Sequence, residues 1–279
     1  MIFSSVDQLR KAIEGILKIE GDNVRVLDEK KLRGSLIDHL VYSAVLSDDA
    51  GVRQAARWLV RRAGVMLGVL PSSIQSLYEA MGRGDAKGFT VPAINIRGLT
   101  YDTAQAIFRA GLRGGVGPII FEIARSEIGY TEQRPAEYAC AVTAAAIKTG
   151  WRGPLFLQGD HFQIGVKKFA TEPQKEIDSV KELVREAVEA GFYNIDIDSS
   201  TVVDLGKPTE TEQQRDNFTI AADITAFIRR IQPRGVEVSV GGEIGEVGRK
   251  NSTVGELRAF MNGYLEELGR HGKDLKGIS

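Results

Sequence analysis

The sequence predicts an α/β protein of the (β/α)8 TIM-barrel type. Five short apolar runs alternate with amphipathic helices at intervals of about 30 to 40 residues, a pattern that builds a parallel sheet through right-handed crossovers. A doubly wound sheet is the alternative. Two observations favour the barrel: polar residues follow nearly every run, and no run is followed by the glycine fingerprint of a dinucleotide site. Closure needs eight strands, and we count only the first five β/α units.

The region before the first strand has a different pattern. Apolar residues recur at helical spacing around Leu9, Leu36 and Leu59, which predicts three or more amphipathic helices. We therefore expect a helical N-terminal region over residues 1–87 and the barrel-type region over residues 88–279.

Two sets of polar side chains in the N-terminal region have structural interpretations. His39 lies among leucines and a valine and is expected to pack without a chemical role. Arg57, Arg61 and Arg62 are expected to form a solvated helix face, with a contact to another subunit as the alternative.

The predicted strands are short apolar runs that end in polar residues, as strands of a parallel sheet buried on both faces do. They lie at 90–97, 117–124, 154–163, 193–200 and 236–245.

The predicted helices follow these strands and have recognisable ends. Pro135 and Pro173 suit the first turn of a helix, Gly150 and Gly191 suit a C-terminal cap, and a capping box begins the last helix at Thr253. The helices are expected at 102–112, 135–148 and 173–190, after the polar segment 201–215 with residues from 224 to 231 on its inward face, and from 253 to near Gly269 or Gly272, with residues 125–134 as a loop.

Composition excludes several classes of partner. The 36 basic and 37 acidic residues give a net charge of −1, which leaves no surplus for nucleic acid or an anionic membrane. No signal peptide or run of about 20 apolar residues occurs, so we expect a cytoplasmic protein with no membrane partner. The single cysteine, Cys140, excludes a disulfide within the chain and is interpreted as a buried helix residue.

Polar side chains gather at the carboxyl ends of the predicted strands, which share one rim in a parallel sheet. Imidazole and several carboxylates around one mouth favour a divalent-metal site, with Lewis-acid catalysis and a carboxylate that moves protons. A structural hydrogen-bonded turn at the Asp-His pair is the alternative. The residues are Asn95, Arg97, Glu122, Gln158, Asp160, His161, Asp196, Asp198 and Glu243.

Four of these strand ends carry motifs that resemble, in order and spacing, those of the metal-dependent class II fructose-bisphosphate and tagatose-bisphosphate aldolases. The resemblance covers about residues 73–279. The motifs are Val91-Pro-Ala-Ile-Asn-Ile, Leu157-Gln-Gly-Asp-His, Ile197-Asp-Ser-Ser and Val240-Gly-Gly-Glu-Ile-Gly.

The resemblance implies a zinc site, or one for another divalent metal, within a (β/α)8 barrel. It makes His161 and Glu243 metal ligands and Asp160 the acid/base that handles the hydroxyl proton during carbon-carbon cleavage. Asn95, Asp198 and Gln158 take substrate-binding or second-metal positions. The implied partner is a sugar or sugar phosphate, and dimers are common in the family, so we expect a homo-oligomer.

The sequence departs from the family pattern at several points. Gln158 stands where the typical aldolase has histidine, and Ala124 where a serine often ends the second strand. The loop after Glu243 lacks the usual acidic run, in which Glu246 is a candidate substitute. His271 belongs to the end of a helix and fits neither of two further histidine-ligand positions.

Those two further ligands and a glycine-rich phosphate site come in the family from strands beyond the fifth helix. We therefore expect a C-terminally truncated or incompletely represented chain, with weak metal binding and little turnover from residues 1–279 alone.

Three functions remain open. The leading one is a zinc-dependent aldolase-type lyase that cleaves or forms a carbon-carbon bond in a ketose phosphate or related sugar through a metal-stabilised enediolate. A sugar or sugar-acid epimerase would use the same metal and release no triose. A non-catalytic accessory subunit on the same scaffold would bind no stoichiometric zinc.

Overall fold

A computed structural model describes residues 1–245 and 251–278. The chain divides into two compact units, each made of two segments: Met1–Ser72 with Thr90–Leu157, and Ser73–Phe89 with Gln158–Ser279. The predicted boundary between residues 87 and 88 stays a prediction.

The N-terminal region contains helices and a small hairpin. The predicted helices are confirmed, and the region also contains a two-stranded antiparallel sheet that was not predicted, which turns at Gly21, where φ is 61°. Its four-residue strands carry one buried residue each, which is too short a pattern to show alternation. The elements are α1 Val6–Ile13, β1 Leu17–Glu20, β2 Asn23–Val26, α2 Glu29–Lys31, a π-helical turn Leu32–Leu36, α3 Ile37–Leu46, α4 Ala50–Met66, β3 Val69–Pro71 and α5 Gln75–Gly82.

Strands and helices then alternate as predicted. Two of the helices, which begin at Pro135 and Pro173, have proline in the first turn and end at a glycine C-cap in the left-handed conformation. The elements are β4 Ala93–Asn95, α6 Thr100–Gly114, β5 Ile120–Ala124, α7 Arg125–Thr131, α8 Pro135–Thr149, β6 Gly153–Gln163, α9 Val166–Thr171, α10 Pro173–Ala190, β7 Asn194–Asp198, a 3₁₀ turn Ser200–Val202, α11 Glu210–Gln213, α12 Arg215–Ile231, β8 Ser239–Gly242 and α13 Val254–His271.

The predicted loop at 125–134 is wrong, because α7 occupies most of it. The Glu127 carboxylate accepts the backbone N–H of Ala124 at 2.9 Å and so caps the first turn of this helix. The local sequence signal for this helix is weak because residue 124, the N-cap position, is an alanine, which is poor at that position.

Strands β4 to β8 form one parallel sheet in chain order. A doubly wound sheet reverses its order at a switch point, and this order has no reversal, so the sheet is wound in one direction. Strand β3 also pairs in parallel with the start of β6. Closure into a barrel stays a prediction.

Arg57, which was expected on a solvated helix face, is partly buried in the first unit. The Arg57 guanidinium bonds the Glu137 carboxylate at 3.1 Å and the Ala44 carbonyl oxygen at 3.1 Å. The solvated-face interpretation is therefore wrong for Arg57, because its partner lies on α8, far along the chain. Within residues 1–245 and 251–278, none of the helices has the length and apolar character needed to cross a membrane.

Candidate active site

In the second unit, acidic side chains lie around a β-bulge in β6. The β6–β7 ladder pairs Gly159 with Ile195 and then Phe162 with Ile197. Two residues of β6, Asp160 and His161, therefore lie opposite a single residue of β7. A bulge of this kind turns its side chains away from the regular strand direction.

His161 has an unusual backbone at this bulge. Its φ is 42°, in the left-handed region, which a residue other than glycine adopts only where its surroundings hold it. The His161 N–H donates to the side-chain Oδ2 of Asp196, across 3.3 Å. The residue opposite the bulge thus holds the bulge in place.

Glycine and phenylalanine fill the space beneath the bulge. Phe162 is fully buried, and a Cβ added at Gly159 would overlap its ring. Only glycine fits at position 159 without displacing that ring.

Carboxylates surround the His161 imidazole on both sides. Nδ1 lies 3.3 Å from Oδ2 of Asp198 and 3.8 Å from Oε1 of Glu243. Nε2 lies 3.8 Å from Oδ1 of Asp160. The side chain of His161 is 51% exposed while that of Asp198 is 5% exposed, so the imidazole is reachable from solvent and its partner is not.

The Asp198 carboxylate accepts several hydrogen bonds that hold it in place. Its Oδ1 accepts the Ser200 hydroxyl at 2.8 Å and the Ser200 backbone N–H at 3.2 Å. Its Oδ2 accepts the Gln163 side-chain amide at 2.8 Å. A carboxylate with this many donors is fixed in orientation, so it can in turn orient His161.

The cluster carries an excess of negative charge. Burial raises the pKa of Asp196 to about 7, and Glu243 and Asp160 add to the rise while His161 opposes it. Burial also raises the pKa of Glu243, with a further rise from Asp198. Burial lowers the pKa of His161. The four carboxylates raise it by more, so the pKa of His161 lies above its usual value; they belong to Asp160, Asp198, Asp196 and Glu243.

A comparison with family models identifies the family of the chain. A family model for class-II fructose-bisphosphate aldolases matches residues 75–266, more than half of the chain. The chain belongs to this family. No curated protein matched the sequence. Membership supports an aldolase-type lyase, and it confirms the family that the four sequence motifs indicated.

Class II aldolases are metal-dependent, and the side chains of this chain suit a divalent cation. Ligand atoms of Asp160, His161 and Asp196 all lie within 4.8 Å of one another. One imidazole nitrogen with carboxylate oxygens is a donor set that zinc and similar cations accept. Burial is the main cause of the raised pKa of Asp196, and a cation would offset the negative charge of Glu243 and Asp160, which adds to the rise. The residues therefore fit the family's metal.

The sequence motifs place Asp196 on the rim and assign it no further role. Its strand neighbour on β8 is Gly241, where an added Cβ would come within 2.7 Å of the Asp196 carboxylate. Alternation along β7 puts Asp196 and Asp198 on one face of the strand. Because Asp198 was a predicted site residue, this alternation is the sequence signal that could have pointed to Asp196.

The remaining predicted site residues lie in different places. Gln158 lines a cavity of about 140 Å³ together with Tyr78, Asn194, Asp196 and four other residues of the second unit. Asn95 belongs to the first unit, where its side-chain amide donates to Glu127 at 3.2 Å. Glu246 lies outside the described residues.

Proposed function

We propose that the full-length protein is a metal-dependent aldolase-type lyase that cleaves or forms a carbon-carbon bond in a ketose phosphate or a related sugar. Family membership supports the reaction class. The observation that carries the proposal is the cluster at the β6 bulge, where four carboxylates lie around one imidazole and the pKa values of Asp196, Glu243 and His161 are all raised.

His161, Asp196 and Glu243 would hold the metal, which we propose is zinc. When bound, it supplies Lewis-acid polarisation of a substrate carbonyl. Asp198 has a different part in this proposal: it accepts from His161 Nδ1 and keeps the ring in one orientation. The excess negative charge of the cluster favours a cation over an anionic group at this point.

Asp160 is the proposed acid/base. Its carboxylate is 16% exposed and lies 3.8 Å from His161 Nε2, so it is both reachable by substrate and next to the proposed metal ligand. In cleavage, Asp160 takes the substrate hydroxyl proton while the adjacent carbon-carbon bond breaks and the hydroxyl becomes a carbonyl. The electron pair of the broken bond stays on the other fragment, which then takes up a proton.

The test is cleavage of a panel of ketose phosphates, fructose 1,6-bisphosphate included, by full-length protein loaded with Zn²⁺. We expect release of a triose from at least one member, loss of activity with a chelator and recovery with added metal. Asp160→Asn should lower kcat by about 10²–10⁴-fold and leave Co²⁺ affinity within a few-fold. The matched control is Asp178→Asn, the same change at an exposed position on α10, which should not alter activity.

Two results would contradict parts of this proposal. If Asp160→Asn abolished Co²⁺ binding, Asp160 would be a metal ligand and not the acid/base. If the metal-loaded protein cleaved no member of the panel but interconverted sugar epimers, the lyase assignment would be wrong and the epimerase alternative would replace it.

A further inference from the structure

A pair of buried side-chain amides at the start of α12 holds the chain that carries Glu243. The Asn217 amide nitrogen donates to the Glu243 carbonyl oxygen at 2.8 Å and to the Gln214 side-chain oxygen at 2.9 Å. The Gln214 amide nitrogen donates to the Ile244 carbonyl oxygen at 2.7 Å. Two consecutive carbonyl groups are thus bound by two amides that are bonded to each other.

These amides are buried and well satisfied. Asn217 is 0% exposed and Gln214 is 2% exposed. The Asn217 side-chain oxygen accepts the hydroxyl of Ser199, itself 0% exposed, at 2.7 Å. A buried network in which each amide group has partners is rigid, because breaking one hydrogen bond leaves a buried polar atom with neither a protein partner nor water to replace it.

The two carbonyl groups lie beyond the regular sheet. The last β7–β8 ladder pair joins Ile197 and Gly242, so the ladder ends one residue before Glu243. Where the ladder stops, the side chains of Gln214, the N-cap of α12, and of Asn217 in its first turn bind the backbone carbonyl groups. The Glu243 carboxylate lies 3.8 Å from His161 Nδ1, so the two amides hold the backbone of a residue whose side chain reaches the candidate site.

We propose that Gln214 and Asn217 are positioning residues for the Glu243 carboxylate. They act through the backbone at residues 243 and 244 and touch neither substrate nor metal. The inference rests on the proposed function, in which Glu243 helps hold a divalent cation. Partners beyond the direct ligands commonly change metal affinity by about 10–100-fold.

The test measures Co²⁺ affinity of the full-length protein by titration calorimetry and by the absorption of the bound ion. Gln214→Met keeps the length of the side chain and removes its bonds to Ile244 and Asn217. We expect Co²⁺ affinity to fall by about 10-fold or more. The matched control is Thr225→Val, also on α12, which removes a buried hydroxyl that bonds Ala221 and Tyr264; Co²⁺ affinity should stay within twofold.

A double-mutant cycle separates positioning from general loss of stability. Glu243→Gln alone should weaken Co²⁺ binding, and adding Gln214→Met to it should weaken binding no further, because the amide acts through the missing carboxylate. Additive effects of the two changes would overturn the proposal, and so would a folded Gln214→Met protein with unchanged affinity.

The failure of the proposed function has a different signature. If Glu243→Gln weakens Co²⁺ binding and Gln214→Met does not, the positioning role is wrong and the metal site stands. If the wild-type protein binds no Co²⁺ and cleaves no sugar phosphate, the proposed function fails and the positioning role fails with it.

Discussion

The backbone N–H of His161 donates to the Asp196 carboxylate across 3.3 Å, between a bulge in one strand and the residue that faces it on the next. This bond joins the two strands at the point where their side chains form the candidate site. Because His161 has a φ of 42°, its imidazole direction depends on the bulge. The position of Asp196 is therefore central to the site.

Gly241→Ala should damage this arrangement. The new methyl group would lie 2.7 Å from Oδ1 of Asp196 and 3.5 Å from its Cα, so the carboxylate must move. We expect Co²⁺ affinity to fall by about 10-fold or more and the free energy of unfolding to fall by about 1–3 kcal/mol. Calorimetric titration and urea denaturation would measure these.

Gly269→Ala is the matched control for that change. Gly269 lies on α13 with nothing within 4 Å of an added Cβ, and alanine favours a helix over glycine by about 0.5–1 kcal/mol. Stability should rise slightly and Co²⁺ affinity should not change. Equal metal affinity in both variants would show that Asp196 takes no part in binding.

A divalent metal should stabilise the full-length protein by binding only the folded state. Zn²⁺ or Co²⁺ at 100 times its Kd is expected to raise the free energy of unfolding by about 2.7 kcal/mol, and a chelator should remove the gain. The gain should be much smaller in His161→Asn, since the imidazole is a proposed ligand. Thermal denaturation with and without metal would measure it, and an equal gain in that variant would place the metal elsewhere.

Arg57→Met should destabilise the first unit at neutral pH. Arg57 and Glu137 form an ion pair at 3.1 Å with side chains only 28% and 18% exposed, so the change leaves a partly buried carboxylate without its cation. We expect a loss of about 1–3 kcal/mol at pH 7.5 by urea denaturation. Adding Glu137→Gln should recover much of it, because the remaining buried charge is then gone.

The loss in Arg57→Met should depend on pH. Burial raises the pKa of Glu137 above its usual 4.5, and Arg57 opposes the rise. A carboxyl with a raised pKa in the folded state binds its proton more tightly there, so stability falls as pH rises through that window. Without Arg57 the pKa rises further, so the cost should shrink near pH 4. A cost independent of pH would mean that the arginine acts by packing alone.

Cys140 should be unreactive in the folded protein. Burial raises the pKa of its thiol from 9.0 to about 12, so the thiolate is scarce at pH 8. Reaction with a disulfide reagent should be at least about 100-fold slower than in denaturant, where the same single thiol is exposed. Rapid stoichiometric reaction of the folded protein would contradict its burial.

Because of the same thiol, we expect the free energy of unfolding to fall at alkaline pH. The unfolded chain releases the thiol proton near pH 9, while the folded chain keeps it to about pH 12. The unfolded state then binds fewer protons, so the free energy of unfolding falls as pH rises between these values. Cys140→Ala should show a smaller fall than wild type over this range in urea denaturation at fixed ionic strength.

Much of the fold was readable from the sequence because its signals are local. Apolar runs, proline at Pro135 and glycine at Gly150 determine where strands and helices begin and end, and these were predicted to within a few residues. The hairpin of β1 and β2 and the helix α7 were missed, since short strands and an alanine N-cap leave little local pattern.

The sequence by itself determined that acidic residues and His161 would lie at the carboxyl ends of parallel strands, because alternation of strand and helix places the ends of neighbouring strands at one edge. The tertiary structure alone decided that Asp160 and His161 share a bulge opposite Asp196. It also decided that Asn217 would hold the Glu243 backbone. Strand register and contacts between residues distant in the chain depend on how whole elements pack, which no local pattern of residues specifies.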